Sequence, residues 1–218
     1  SWQNDNILSI GCRSGQVVHR DTRMSVVRSV TWSQKSAHRT GVCGLAWSHC
    51  GNYLASGSDD DTCKIWDKRK MEQPRFLLQH QAAVKAIAWN HASSTCIATG
   101  GGQTDHKVHW WNLHHKAIPR GVIDTGGSVS GLLWSHSSRE ILISGGAEMS
   151  VWSYPYRKQL FEFTPSQGRI LCTVLSPDGT HACALTSSET LKICRVWNEH
   201  GGQYLKNETK QSKSFTIR

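Results

Sequence analysis

The sequence predicts an all-β fold, a β-propeller, from three observations. Four segments, residues 42–66, 84–111, 129–152 and 170–194, align as one repeat of three short strands separated by a polar and an acidic turn. The closing residues Trp66, Trp111, Trp152 and Cys194 are 45, 41 and 42 positions apart, about the length of one propeller blade. Ten Trp against four Phe and four Tyr is the composition that a repeated Trp produces.

The strands are short and rich in β-branched residues, and Gly, Ser, Asn and Asp turns separate them. No stretch has a convincing helical period. Each repeat is therefore expected to form a four-stranded blade, and the blades are expected to pack face to face around a channel. A fifth, partial unit precedes them, and its residues 7–21 are expected to supply two strands.

Two of the repeats also carry polar residues typical of WD blades. A His precedes the first strand, Ser or Thr ends the second, Asp occupies the following turn and Trp closes the third strand. The first set is His38, Ser56, Asp60 and Trp66, and the second is His80, Thr99, Asp105 and Trp111. Hydrogen bonds among these side chains would satisfy polar groups buried between blades, so we interpret them as structural, not catalytic. The last two repeats lack the His and have Glu148 and Glu189 in or near that turn.

The repeat count predicts about four and a half blades of an expected seven, with the missing blades upstream. Residues 1–197 are thus expected to be the C-terminal blades of a WD-repeat propeller. The chain starts at Ser1 and resembles the interior of a longer protein. Residues 198–218 are polar and Lys-rich, which predicts a flexible basic tail ending in Ile217 and Arg218.

Composition excludes several functions. The net charge of +9 is spread along the chain, so we predict acidic protein partners and no nucleic acid. No apolar run approaches the roughly 20 residues of a membrane span, and we predict no membrane contact. The eight Cys form no C-x-x-C pair, and the nearest group of possible ligands is His109, His114 and His115, so we predict no metal or cofactor. No phosphate cradle or catalytic triad spacing indicates an enzyme.

Five stretches carry a more specific resemblance. In chain order they read ILSIGCRSGQVVHRDTR, VCGLAWSHCGNYLASG, QHQAAVKAIAWNHASSTCIATGGGQTDHKVHWWN, WSYPY and SPDGTHACALTSSETLKI. Together they span nearly the whole chain, and the third is the most distinctive. On these stretches the chain resembles the Fizzy and Fizzy-related family, the WD-repeat co-activators of the anaphase-promoting ubiquitin ligase. Altered turns, and Cys194 in place of a Trp, indicate a divergent member.

The resemblance implies a propeller that binds short degradation motifs of cell-cycle proteins such as cyclins. Glu189 matches the family's acidic residue for the Arg of a destruction box, and Arg169 matches the basic residue for the Glu of a KEN motif. Where the family has an Asn-Asp-Asn turn this chain has Asp59 and Asp61 around Asp60, and Gln103 and Ser128 stand where Thr and Gln are frequent. Extra carboxylates attract the Lys of KEN but disfavour its Glu, so weakened or altered KEN binding is expected.

The resemblance further implies that Ile217 and Arg218 dock on a tetratricopeptide-repeat subunit of the ligase, and that the protein acts in the nucleus and cytoplasm. The expected function is recruitment of substrates in mitosis or meiosis, without catalysis. The alternative is a WD-repeat scaffold or pseudo-activator that bridges proteins without activating the ligase.

Overall fold

The computed structural model describes residues 1–114, 118–164 and 168–198 and the backbone of 213–216. Within these residues the chain forms five antiparallel sheets, each of which is one blade. The first blade has three strands and the other four have four strands in chain order. No helix in the described part of the chain is long and apolar enough to cross a membrane. The all-β propeller prediction is confirmed.

The strands of the first two blades are β1 (Ile7–Gly11), β2 (Val17–Asp21), β3 (Val30–Gln34), β4 (Val42–Trp47), β5 (Tyr53–Ser58), β6 (Thr62–Asp67) and β7 (Phe76–Gln79). Those of the third and fourth are β8 (Val84–Trp89), β9 (Cys96–Gly101), β10 (Lys107–Asn112), β11 (Pro119–Asp124), β12 (Val129–Trp134), β13 (Glu140–Gly145), β14 (Glu148–Ser153) and β15 (Lys158–Phe163). The fifth contains β16 (Ile170–Leu175), β17 (His181–Thr186), β18 (Thr190–Arg195) and β19 (Lys213–Thr216).

Two expectations about strands need correction. The first unit contributes a third strand, β3, because Val30, Thr31 and Trp32 provide a β-prone run after the turn that follows β2. Residues 213–216 are not part of a flexible tail, because β19 pairs with β18 as the outermost strand of the fifth blade. The polar composition of 198–218 concealed the short run Lys213-Ser214-Phe215-Thr216, which ends in two β-prone residues.

The hydrophobic core is divided among the interfaces between blades. Four buried clusters each combine residues of two consecutive blades, from the first and second to the fourth and fifth. Alternation along each strand produces this arrangement, since successive side chains point to opposite faces of a sheet and both faces are covered. Each blade is therefore stabilised mainly by its neighbours.

The strands β4 and β5 of the second blade lie very close to β8 of the third blade. A Cβ placed on Gly57 would lie 2.1 Å from the carbonyl oxygen of Val84, and one on Gly44 would lie 2.6 Å from that of Lys85. The indole N–H of Trp89 donates a hydrogen bond to the carbonyl of Ala46 at 2.9 Å, which joins the second and third blades. Glycine is required at such positions because the next backbone occupies the space of a side chain.

The first strand of each four-stranded blade is its inner strand, and each of these strands (β4, β8, β12 and β16) contains a β-bulge at its second residue. In β4, Val42 pairs with Ser58 and Gly44 with Gly57, so that Cys43 is the extra residue. The corresponding residues of β8, β12 and β16 are Lys85, Ser130 and Leu171. A bulged residue leaves the regular pairing and its side chain is aimed differently from those of the strand.

Candidate functional site

The second blade contains the predicted hydrogen-bonded set. Nδ1 of His38 lies 3.1 Å from Oδ2 of Asp60, and its Nε2 lies 2.8 Å from Oγ of Ser56. The indole N–H of Trp66 donates to the same Ser56 hydroxyl at 2.9 Å. Burial lowers the pKa of His38, so the ring is neutral at neutral pH and the contact with Asp60 is a hydrogen bond, not an ion pair.

The third blade repeats this arrangement with shorter contacts. His80 Nδ1 lies 2.7 Å from Asp105 Oδ2, and His80 Nε2 lies 2.7 Å from Thr99 Oγ1, which also accepts the Trp111 N–H at 2.7 Å. Burial lowers the pKa of His80 as well. Neither histidine has the exposure expected of a general base, and both sets lock the turns that follow β5 and β9.

Those turns form one side of a cleft of about 490 Å³ at the end of the channel. Asp59 and Asp61 flank the locked Asp60, and Gln103 precedes the locked Asp105 by two positions. Ser128, just before β12, and Arg169, just before β16, complete the set of predicted residues in the cleft. Five residues that lie far apart in the sequence therefore meet at one opening.

Backbone contacts hold the cleft residues in place. Asp61 has a φ of 62°, a left-handed conformation that Asp tolerates better than most residues, and its carbonyl accepts the backbone N–H of His80 at 2.9 Å. Arg169 exchanges two hydrogen bonds with Ser187, from its N–H to the hydroxyl at 2.9 Å and from the Ser187 N–H to its carbonyl at 2.8 Å. The acidic turn of the second blade is thus tied to the third blade, and Arg169 to the turn after β17.

Glu189 does not line the cleft. It is exposed in the turn between β17 and β18, where its φ is 57°. Ile217 and Arg218 lie outside the described residues. The structure thus groups Asp59, Asp61, Gln103, Ser128 and Arg169 around the cleft, and Glu189 is not among the residues that line it.

The cleft also contains residues that the sequence analysis missed. The four bulged residues Cys43, Lys85, Ser130 and Leu171 all line it, as do Gln81 and Thr104. The Lys85 ammonium donates to the carbonyl of Leu171 at 3.4 Å, so the cleft contains two cations and two carboxylates. The second position of the aligned inner strands, in VCG, VKA, VSG and ILC, was the available signal, because Lys85 and Ser130 there interrupt an otherwise apolar strand.

The structure places His109 beside His80 and Asp105, a different group from the predicted one with His114 and His115. Its ring lies near His80 and Asp105, with ligand atoms of the three residues all within 4.8 Å of one another. His115, which the sequence analysis grouped with it, lies outside the described residues.

Comparison with known proteins places the chain among WD-repeat proteins. The family model "WD domain, G-beta repeat" matches residues 30–67 and 71–112. The chain is 38% identical to WD repeat-containing protein slp1 of Schizosaccharomyces pombe, with all of this chain and 45% of that protein covered. It is 36% identical to anaphase-promoting complex subunit cdc20 of Dictyostelium discoideum, with 91% of this chain and 40% of that protein covered.

A solved structure has a similar fold and a similar level of identity. A chain in the crystal structure of a mitotic checkpoint complex superposes with a TM-score of 0.84 at 37% identity, over 90% of this chain and 63% of that one. The chain spans less than half the length of the two relatives that it matches.

Proposed function

Because this chain belongs to the Fizzy and Fizzy-related family of WD-repeat proteins, we propose that it recruits substrates to the anaphase-promoting complex and performs no chemistry itself. The observation that carries the proposal is the cleft lined by the turns after β5 and β9. Five of the six residues that the family resemblance assigns to degron binding line this one opening, although they come from four different blades.

The charges of the cleft suit a short peptide with neighbouring Lys and Glu side chains. Asp59 and Asp61 would pair with the Lys of a KEN motif, and Arg169 would donate two hydrogen bonds to its Glu in a planar contact. Gln103 and Ser128 offer donors and acceptors for the Asn amide. The two carboxylates also repel the Glu of the motif, so we propose that KEN peptides bind here more weakly than they would to an amide-lined turn.

Glu189 would serve a second motif. Its exposed carboxylate, held in a left-handed turn, would pair with the Arg of a destruction box at the side of the fifth blade. Glu189 is absent from the lining of the cleft, which supports a motif contact distinct from those of the cleft.

The cleft chemistry supports binding without catalysis. Cys43 is the thiol that lines it, and burial raises the pKa of this thiol to about 12, so it is protonated at neutral pH and a poor nucleophile. Substrates would be cell-cycle proteins such as cyclins, in the nucleus and cytoplasm. The Ile217-Arg218 end would reach a tetratricopeptide-repeat subunit of the ligase.

The decisive experiment adds full-length protein to anaphase-promoting complex purified without co-activators, together with a substrate that carries either a KEN motif or a destruction box. Ubiquitin chains on these substrates would support the proposal. Capture of the substrates without ubiquitin transfer would favour the alternative of a scaffold, for which the carboxylates at 59 and 61 are the motivating observation. Absence of both capture and transfer would contradict the degron-binding function.

A further inference from the structure

His109 in β10 is half-buried, and both of its ring nitrogens are buried. Neither Nδ1 nor Nε2 has a hydrogen-bond partner among the residues that the structure describes. The ring centroid lies 4.5 Å from that of His80 and 5.4 Å from that of Trp111, on which it stacks. Buried imidazole nitrogens are nearly always satisfied, so this position needs a partner beyond those that the chain provides.

The neighbours of His109 are metal ligands by type. His80, Asp105 and His109 each offer one ligand atom, and these atoms lie within 4.8 Å of one another. Ligand atoms of a tetrahedral zinc ion, each about 2.0–2.1 Å from the metal, are about 3.3–3.4 Å apart. The three atoms would each have to shift by up to about 1 Å to surround one ion. Two imidazoles and one carboxylate are a donor set that suits Zn²⁺.

We infer that the third blade holds a zinc site formed by His80 Nδ1, a carboxylate oxygen of Asp105 and a ring nitrogen of His109, with water as a fourth ligand. The site is independent of the proposed degron-binding function. It adjoins the cleft in sequence, since His80 and Asp105 are next to the cleft residues Gln81 and Thr104.

The ion would take the place of one hydrogen bond in the third blade. His80 Nδ1 now lies 2.7 Å from Asp105 Oδ2, and binding would move the ring proton to Nε2 without any net loss of protons from His80. The Nε2–H would then donate to Thr99 Oγ1, 2.7 Å away, which still accepts the Trp111 N–H. A zinc-binding histidine normally donates a hydrogen bond from its second nitrogen to such an acceptor. Thr99 already occupies that position beside His80.

The second blade shows what distinguishes the third. At the position of His109 it has Lys64, whose ammonium donates to the Ala37 carbonyl at 2.5 Å. Its Asp60 also accepts hydrogen bonds from Arg39 and Thr62 in addition to His38. The third blade has a second imidazole and a less occupied carboxylate.

The test is titration of metal-free full-length protein with Zn²⁺, followed by calorimetry and thermal unfolding, and with Co²⁺, followed by visible absorption. We expect one equivalent to bind, the unfolding temperature to rise, and Co²⁺ to show the bands of nitrogen and oxygen ligands without thiolate absorption. His109→Lys, which copies the second blade, and Asp105→Asn, which keeps an acceptor for His80, should each weaken zinc at least tenfold. His114→Lys is the matched control and should bind as the wild type does.

Two outcomes would overturn the site. The first is wild-type protein whose unfolding temperature does not respond to zinc. The second is His109→Lys and Asp105→Asn proteins that bind zinc as tightly as the wild type, which would assign the ion to other Cys and His residues of the chain. Mg²⁺ serves as the negative probe, since this donor set does not suit it.

Discussion

The indole N–H of Trp197 donates a hydrogen bond to Oε2 of Glu140 at 2.9 Å, across 57 positions of sequence. Both residues are buried, Trp197 in the fifth blade and Glu140 at the start of β13 in the fourth. This pair fixes the end of the last repeat to its neighbour. It also explains why a carboxylate is buried at a blade interface, where an apolar residue would be expected.

Replacement of Glu140 by Ala should destabilise the protein by about 1–3 kcal/mol, because the buried indole N–H would lose its acceptor. Glu140→Gln retains an acceptor and should cost less. Urea unfolding of the two variants and the wild type measures the difference. Equal stabilities of all three would show that the contact contributes nothing.

Gly57→Ala should destabilise the propeller by about 1–3 kcal/mol or more, because the new methyl group would lie 2.1 Å from the Val84 carbonyl oxygen. Gly127→Ala is the matched control, since nothing lies within 4 Å of a Cβ at that position. Thermal unfolding should show a clear drop for the first variant and little change for the second. Similar midpoints would mean that the inner strands separate easily.

The stability of the protein should fall as the pH decreases from about 6.5 to 4, in part through His19. This ring is buried between Trp32 and Trp47, with centroids 4.6 and 5.5 Å away, and burial lowers its pKa to about 4. In the unfolded chain the pKa of His is about 6.5. Between pH 6.5 and 4 the unfolded state therefore binds more protons than the folded state, and a fall in pH favours unfolding.

His19→Phe keeps a ring in the same space and cannot titrate. Urea unfolding at pH 7.5, 6 and 5 should therefore show a smaller loss of stability for the variant than for the wild type. The loss should not vanish, because burial also lowers the pKa of His91 and of His109 to about 4. Identical pH dependence in both proteins would rule out a contribution from His19.

Arg169→Ala should weaken binding of a KEN peptide to the full-length protein by about 1–3 kcal/mol, because one partner of a charged hydrogen bond is removed. Glu189→Ala should weaken a destruction-box peptide by a similar amount. Each variant serves as the control for the other peptide, since Arg169 lines the cleft and Glu189 does not. Titrations in which neither variant changes either affinity would contradict the assignment of Arg169 and Glu189 to motif binding. The fold would not be affected.

Removal of Ile217 and Arg218 should sharply reduce capture of the isolated C-terminal segment by the ligase. An apolar side chain, a guanidinium and a free terminal carboxylate form a recognition element that cannot be reproduced within a chain. Addition of one residue after Arg218 should have the same effect, and the stability of the propeller should not change. Equal capture of the native and extended segments would show that this end is not the anchor.

The repeat made the fold predictable from the sequence. Its strands, its spacing and the His38 and His80 sets follow from a pattern of residue types, and the hydrogen bonds of both sets are present. The strand β3 was missed because it is largely exposed and carries a weak apolar pattern, and β19 because it lies in a stretch of polar composition.

The candidate cleft was predictable only through family resemblance. Asp59, Gln103 and Arg169 are separated by tens of residues, and no local pattern shows that they meet. The neighbours of His109 were missed for a related reason. His80 lies 29 positions earlier in the chain, so only the register that pairs β9 with β10 brings the two rings together.

The repeated bulge places four different side chains at equivalent points along the cleft. Cys43, Lys85, Ser130 and Leu171 are a thiol, an ammonium, a hydroxyl and an alkyl group at equivalent points of identical scaffolds, and each sits outside the regular ladder. Selection can therefore exchange one of these groups without repacking a blade. The four positions therefore set the chemistry of the cleft independently of the strand pairing that builds each blade.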